Sequence, residues 1–344
     1  IMLRGDSMMD FVQLINSSQY DFLRENPRLG KRIILLGLGG SYAYGTDNEN
    51  SDIDFRGIAL NLPSDLLGLT QFEQYEDQET DTVVYSFNKI VRLLLECNPN
   101  TCEILGLNDD QYLIRTPLGQ ELIDHTNIFL SKRAVGSFGG YASGQLRRLK
   151  NALARKGLPQ PQKEAHILES VQNTMKEFEK NFGVCDYGTV RLYIDGAVNA
   201  GLKKEIFADI HLEHFPLRNY GRMLSGIQSV VRAYDKLGIV GQKDDNHLNK
   251  HAMHLIRLFM MGIDILEKGQ IRTYRGDDLE LLLKIRNGAF QRADKSYTSE
   301  FFDILNDYEK RFEKAARESI LPDQPDMESV EAFVEYVNKK AVEE

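Results

Sequence analysis

The stretch from Gly39-Gly40-Ser41 to Ser51-Asp52-Ile53-Asp54 decides how this chain is read. Just upstream, residues 32–38 form a short run rich in Ile and Leu, which predicts a buried strand. A loop of Gly, Ser and Tyr follows it. A second strand is expected to run through the Asp-Ile-Asp segment, with Ile53, Phe55 and Ile58-Ala59-Leu60 as its apolar residues. Side chains alternate along a strand, so Asp52 and Asp54 share one face while Ile53 and Phe55 share the other. Two carboxylates on one face repel each other unless a cation lies between them. The pair therefore points to a metal site more than to a solvated strand end. Arg56, two residues on, is expected on the carboxylate face, where it orients the carboxylates or touches a phosphate.

A glycine loop followed by paired carboxylates suits one chemistry in particular, the transfer of a nucleoside monophosphate from a triphosphate. That reaction uses two divalent ions, about 3.5–4 Å apart, to clamp the attacking and leaving oxygens. Mg²⁺, or Mn²⁺ in its place, takes oxygen ligands, which Asp52 and Asp54 would supply. The backbone amides of Gly39 and Gly40 can approach phosphate closely, and the Ser41 hydroxyl adds a hydrogen bond. A third carboxylate is needed on a neighbouring strand to help hold the metal and activate the nucleophile. Asp81, beside Val83-Val84-Tyr85, is the first candidate, with Glu79 and Asp77 behind it. The plain alternative is a turn followed by a solvated acidic strand end.

The rest of the amino-terminal part reads as α/β. Residues 82–85 are β-branched and predict a third strand. Ser86 can cap a helix over 87–96, which Asn98-Pro99-Asn100 would end. From about residue 132 helical periodicity dominates, over 132–156, 162–181, 219–237, 244–268, 277–286, 299–318 and 327–341. Short strand-like runs at 190–194 and 205–211 interrupt it. The expected fold is α/β (α+β), with a small mixed β-sheet domain over 10–130 followed by a mainly helical domain over 131–344.

These residues resemble a known family. Gly39-Gly40-Ser41-x-Ala43-Tyr44-Gly45-Thr46 with Ser51-Asp52-x-Asp54-x-Arg56-Gly57 is similar to the DNA polymerase β-like nucleotidyltransferase superfamily, and within it to the predicted nucleotidyltransferases associated with RNA repair. Tyr85-Ser86-x-x-Lys89, Asn98-Pro99, Glu103-Ile104-Leu105, Gly140-Tyr141-Ala142-x-Gly144-Gln145, Lys250 to Leu258 and Ile285-Arg286-Asn287-Gly288 extend the likeness patchily over residues 33–290. The resemblance implies a mixed-sheet catalytic domain and a helical domain, Mg²⁺ bound by Asp52 and Asp54, and triphosphate contact at Gly40 and Ser41. Residues 159–240 depart from the pattern, and substrate choice is expected to differ there. A nucleoside triphosphate is the expected donor and an RNA end, such as a tRNA, the expected acceptor. A protein hydroxyl, as in antitoxin-like AMP-transferases, is the alternative, and an inactive nucleotide-binding interaction protein is the third reading.

Lys250, His254 and Arg257 fall on one helical face, at i, i+4 and i+7. A cationic stripe on a largely apolar helix needs an anionic partner, either triphosphate or internal carboxylates. His247, His251 and His254 lack the Glu of a metalloprotease pattern, and His211-Leu212-Glu213-His214 is as weak, so structural histidines are expected rather than zinc. Arg147, Arg148, Lys150, Arg155, Lys156 and Lys163 are the marked basic cluster, read either as a contact for nucleic-acid phosphates or as a solvated face. Tyr141 is read as a core tyrosine, with base stacking as the sharper alternative.

Bulk properties set the frame. The chain has 344 residues, 42% hydrophobic and 27% charged, with a net charge of −9. Such acidity disfavours nonspecific nucleic-acid binding. Three scattered cysteines, Cys97, Cys102 and Cys185, match neither a disulfide framework nor a zinc spacing, so free thiols in a reducing, cytoplasmic setting are expected. Neither a signal peptide nor a transmembrane helix is expected.

Overall fold

The computed structural model describes residues 11–49, 51–156, 160–196, 204–235, 245–293 and 296–343. Among them the chain forms two compact units. One joins Ile1–Leu149 to Asn246–Glu344, and the other is Lys150–Asp245. The units therefore do not part at residue 130, where the sequence changes character. The helices on either side of 150–245 share a unit with the amino-terminal sheet.

That sheet has five strands in the order β3-β4-β2-β1-β5. They are β1 (Ile33–Leu38), β2 (Phe55–Ala59), β3 (Gln74–Asp77), β4 (Thr82–Ser86) and β5 (Tyr112–Arg115). The sheet is mixed: β2 and β4 are parallel, and the other neighbours are antiparallel. β1 is buried at every position, which accounts for its unbroken apolar run. Between β1 and β2 lies the short helix α1 (Gly40–Tyr44), where the sequence suggested a loop. Ser86 caps α2 (Phe87–Leu95) by accepting the Lys89 N–H. Asn98 does not end the helical region. Its side chain accepts the Asn100 N–H and caps a further turn, α3 (Pro99–Cys102), as Asn before Pro favours. The long helix α4 (Arg133–Lys156) follows.

Within the second unit, helices α5 (Gln160–Phe182) and α6 (Leu217–Asp235) accompany an antiparallel sheet of β6 (Val184–Cys185), β7 (Gly188–Gly196) and β8 (Lys204–Leu212). Val171, Phe178, Val190, Leu192, Met223 and Val230 form its core.

The chain returns to the first unit with α7 (Asp245–Lys268), α8 (Leu279–Arg286), α9 (Ser299–Glu318) and α10 (Met327–Glu343). One face of the five-stranded sheet packs Ile58, Leu60, Phe87, Ile90 and Tyr112 against Val330, Phe333 and Val337 of α10. The opposite face buries Leu36, Phe55, Ala59 and Val84 against Tyr20, Leu23 and Leu29. The three cysteines are free, with Cys97 and Cys102 buried. No described helix is long and apolar enough to cross a membrane.

Candidate active site

β1 delivers the chain to Gly39, whose N–H donates to the Asp54 carbonyl at 2.8 Å. This bond carries the β1–β2 pairing one step beyond Leu38 and Phe55. The chain then turns away into α1, with Gly39 as its N-cap and Gly40 at φ +53°. A Cβ on Gly40 would fall 1.9 Å from Asp54 Oδ2, so the Asp54 carboxylate rests on the bare Cα of Gly40. Because β1 leaves, Asp52 and Asp54 have no full ladder partner. They precede β2, which starts at Phe55, rather than lying within it as the alternation suggested.

The register of β2 on β4 pairs Phe55 with Thr82. Asp54 and Asp81, each one residue earlier, therefore open the parallel pair at the same end. Asp54 is partly buried, while Asp52 and Asp81 are exposed. Burial pushes the Asp54 carboxyl above its ordinary range. Arg56 opposes this, Asp81 adds to it, Lys250 opposes it and Asp52 adds to it, in that order of strength. Two further carboxylates and two cations thus act on Asp54 at this end of the sheet.

Arg56 does share the face of Asp54. Its Nη2 lies 3.3 Å from Asp54 Oδ1, and its Nη1 donates to the carbonyls of Phe55 and Asp81 at 2.9 and 2.6 Å. Asp81 itself sits at φ +47°, a conformation uncommon for a non-glycine residue. Of the two reserve carboxylates, Asp77 accepts from the N–H of Thr80 and of Glu79 and from the Thr80 hydroxyl, so it serves the β3–β4 turn. Glu79 is exposed. Among the described residues no group of three or more His, Cys, Asp or Glu side chains is closed into a metal-binding cluster. The donors Asp52, Asp54 and Asp81 nevertheless fit Mg²⁺ in kind, since all are carboxylate oxygens, and the push of Asp81 and Asp52 on Asp54 is what a cation would relieve.

Behind α1 lies a buried polar layer. The Tyr44 hydroxyl donates to Glu103 Oε2 at 2.8 Å, and the Arg257 guanidinium stacks 3.4 Å from the centre of the Tyr44 ring. Burial raises the Glu103 carboxyl; Arg257, the Tyr44 hydrogen bond and Arg56 draw it down, and Asp54 pushes it back up. Arg257 Nη2 donates to His254 Nδ1 at 2.6 Å. Burial, then Arg257, His251, Arg148 and Lys250, hold the His254 imidazole well below its usual pKa, so it is neutral. The predicted stripe therefore divides: Lys250 is exposed and its charge acts on Asp54, while Arg257 and His254 face inward. The internal-partner reading suits Arg257. Glu103 and Tyr44 were not singled out as site residues. Both lie in motifs that carry the family resemblance, and Glu103 is in addition a lone charge in Thr101-Cys102-Glu103-Ile104-Leu105.

Arg286 of α8 is a second buried cation, and it holds the loop between α1 and the carboxylates. Its Nη1 donates to the Thr46 carbonyl, and its Nη2 donates to Ser51 Oγ at 3.0 Å. Replacing it with Met is expected to lower stability by about 1.5–3 kcal/mol, the usual worth of charged hydrogen bonds. Urea unfolding measures this, and an unchanged midpoint would show that the loop holds itself.

In the basic cluster Arg148 is exposed; the side chains of Arg147, Lys150, Arg155, Lys156 and Lys163 lie outside the described residues, as does that of His247. Tyr141 is not a core residue: it is 38% exposed.

Residues 8–168 match the family described as RlaP, RNA repair pathway DNA polymerase beta family. No curated protein and no solved structure matches the chain. The matched stretch contains the whole five-stranded sheet together with the glycine turn, Asp52, Asp54, Arg56, Asp81 and Glu103. Over residues 8–168, a little under half of its length, the chain is similar to this RNA repair pathway DNA polymerase beta family.

Proposed function

We propose that the protein transfers a nucleoside monophosphate from a nucleoside triphosphate to a hydroxyl at an RNA end, releasing pyrophosphate. The observation that carries this is the seating of the Asp54 carboxylate on Gly40, beside Asp52, Asp81, Arg56 and Lys250. It puts the turn that would cradle phosphates next to the carboxylates that would hold metal.

In this reading Gly39, Gly40 and Ser41 contact the β- and γ-phosphates, and Lys250 offsets their charge. Asp52, Asp54 and Asp81 would hold Mg²⁺, or Mn²⁺ in its place, which when bound supplies Lewis-acid stabilisation at the reacting phosphate. Asp81, exposed at the start of β4, orients the attacking hydroxyl and takes its proton. Arg56 fixes the angle of Asp54 and the backbone at Asp81. His254 and Arg257 support the site from behind through Tyr44 and Glu103. Residues 10–130 supply the catalytic groups, and the helical remainder supplies contacts for nucleotide and acceptor. The net charge of −9 favours a protein acceptor, but the similarity of residues 8–168 to an RNA repair family outweighs it.

Purified protein given α-labelled nucleoside triphosphates, Mg²⁺ and total RNA or total protein tests the proposal. Label is expected on RNA and lost on chelation of the metal. Label on protein alone would move the acceptor to a protein hydroxyl. Equal background with wild type and Asp52→Ala would refute the transfer activity.

A further inference from the structure

The first unit has a cavity of about 570 Å³ lined by Glu96, Asn98, Arg133, Gly136, Ser137 and Tyr141. Its volume lies in the range of small-ligand sites. Neither the glycine turn nor the carboxylates belong to it. We infer that it is a nucleobase subsite in which a base stacks on Tyr141 and turns its polar edge towards Asn98 and Ser137. The choice of ligand rests on the transferase reading, and the inference deepens that reading.

The first support is the Tyr141 ring. It is exposed, no described aromatic ring stacks on it, and its hydroxyl is tied to Asn98 Nδ2 at 3.5 Å. A ring fixed at one end with an open face is a stacking platform. The second is the polar lining. Ser137 Oγ donates to the Cys97 carbonyl at 2.8 Å, which leaves its lone pairs to accept. Beyond its bonds to Asn100 and Tyr141, the Asn98 amide keeps a second N–H and a second lone pair, the pairing that reads a base edge. Arg133 is already held by Glu96 at 2.6 Å and by Gln324 at 2.8 Å, so the cavity does not present a free cation and is poorly suited to a bare phosphate.

The third support is the helix wall. Arg133, Gly136, Ser137, Gly140, Tyr141 and Gly144 fall on one face of α4, while Ala134, Phe138 and Ala142 are buried on the other. Glycine is a poor helix residue, and its usual excuse is close packing. Yet a Cβ at Gly136, Gly140 or Gly144 would meet no described atom within 4 Å. The bare backbone at Gly136 is left open along the cavity wall.

Tyr85 on β4 stands opposite Ile58, two residues beyond Arg56 on the same strand face. After burial, its phenol feels Arg56, Glu103, Glu76 and Tyr141. Arg56 at the carboxylate end of the sheet and Tyr141 at the cavity thus both act electrostatically on Tyr85.

The base could belong to the incoming triphosphate or to the terminal nucleotide of the acceptor; the chemistry of recognition is the same. 2-Aminopurine riboside is the probe, titrated into the full-length chain, which has no tryptophan to obscure its emission. Saturable quenching is expected with wild type, Tyr141→Phe and Asp52→Ala. Tyr141→Ala should weaken binding about tenfold or more, as loss of an aromatic stacking partner does. Gly136→Ala should weaken it too while raising Tm by about 2 °C, because alanine gains helix propensity and meets no neighbour. A glycine kept for packing would instead lower Tm. Absence of quenching with wild type, or equal quenching with Tyr141→Ala, overturns the subsite even where label transfer proceeds. Quenching that depends on Tyr141 in a protein that transfers nothing keeps the subsite and refutes the transfer reading. Under transfer conditions, a raised KM for the triphosphate in Tyr141→Ala assigns the donor base, and a raised KM for RNA assigns the acceptor base.

Discussion

Asp54→Asn is expected to lower the rate of nucleotidyl transfer by about 10³-fold or more while making the protein more stable at neutral pH. The rate loss follows from the central place of Asp54. It touches Gly40, pairs with Arg56 and feels both other carboxylates. Removing one charge from a site that stabilises a reacting phosphate forfeits about 4 kcal/mol of transition-state stabilisation, which is about 10³ in rate.

The stability gain follows from the direction of its titration. The folded state holds the Asp54 carboxyl above its ordinary value of 3.8, chiefly by burial. A raised acid favours the fold while protonated, so that contribution is present below the ordinary value and is lost as pH rises through the folded-state value. At neutral pH the ionised side chain therefore weighs against folding, and asparagine removes that burden. Melting curves of both proteins without divalent ions should show the variant ahead at pH 7, with the gap closing as the pH approaches 3.8 and below. A variant that is inactive and less stable at pH 7 would mean that Asp54 is a structural partner of Arg56 and little else.

Gly40→Ala is the second large effect. Two costs combine there. The backbone is at φ +53°, where an L-residue is disfavoured by about 1–2 kcal/mol, and the new methyl would overlap Asp54 Oδ2 at 1.9 Å. The carboxylate must swing away or the turn must open. A stability loss of about 2–4 kcal/mol is expected, with a fall in kcat of about 10²-fold from misplaced groups. Gly39→Ala is the control. Its φ is −116°, and a Cβ there would meet Arg56 Cγ at 3.0 Å and Asp54 Cβ at 3.1 Å, so it should crowd the same carboxylate without backbone strain. Urea unfolding and transfer kinetics on the two variants separate strain from crowding. Equal, small losses in both would show that Gly40 is not required for its conformation.

Parts of the fold were legible in the sequence for simple reasons. β1 is buried on both faces and reads as one apolar run. β4 is β-branched, and Ser86 announces α2. β3 and β5 were not legible. Gln74-Tyr75-Glu76-Asp77 and Tyr112-Leu113-Ile114-Arg115 are four-residue edge strands, polar or too short for a period. α1 was hidden because its first residues are glycine and serine, which favour turns as readily as a helical start. The split at residues 149 and 246 left no local trace, since helical periodicity runs through both sides of it.

The candidate site divided the same way. Asp52, Asp54 and Arg56 sit close together in the chain, so spacing placed Arg56 beside Asp54. Tyr44, Glu103 and Arg257 meet only through tertiary packing. Tyr44 and Glu103 are 59 residues apart, beyond the reach of any periodicity.

The interruption of the first unit by residues 150–245 bears on how the molecule comes to be made. Arg286 reaches back 240 residues to Thr46, and Arg32 reaches forward 309 residues to the Ala341 carbonyl. During synthesis the five-stranded sheet emerges long before α7 and α8 exist. Tyr44 and Glu103 must then wait for Arg257, and the loop at Thr46 must wait for Arg286. Pairings at such separation close slowly. The nascent amino-terminal half is therefore a state in which α10 has yet to cover one face of the sheet, and a ribosome stalled near residue 245 would display that apolar face to chaperones rather than a finished fold.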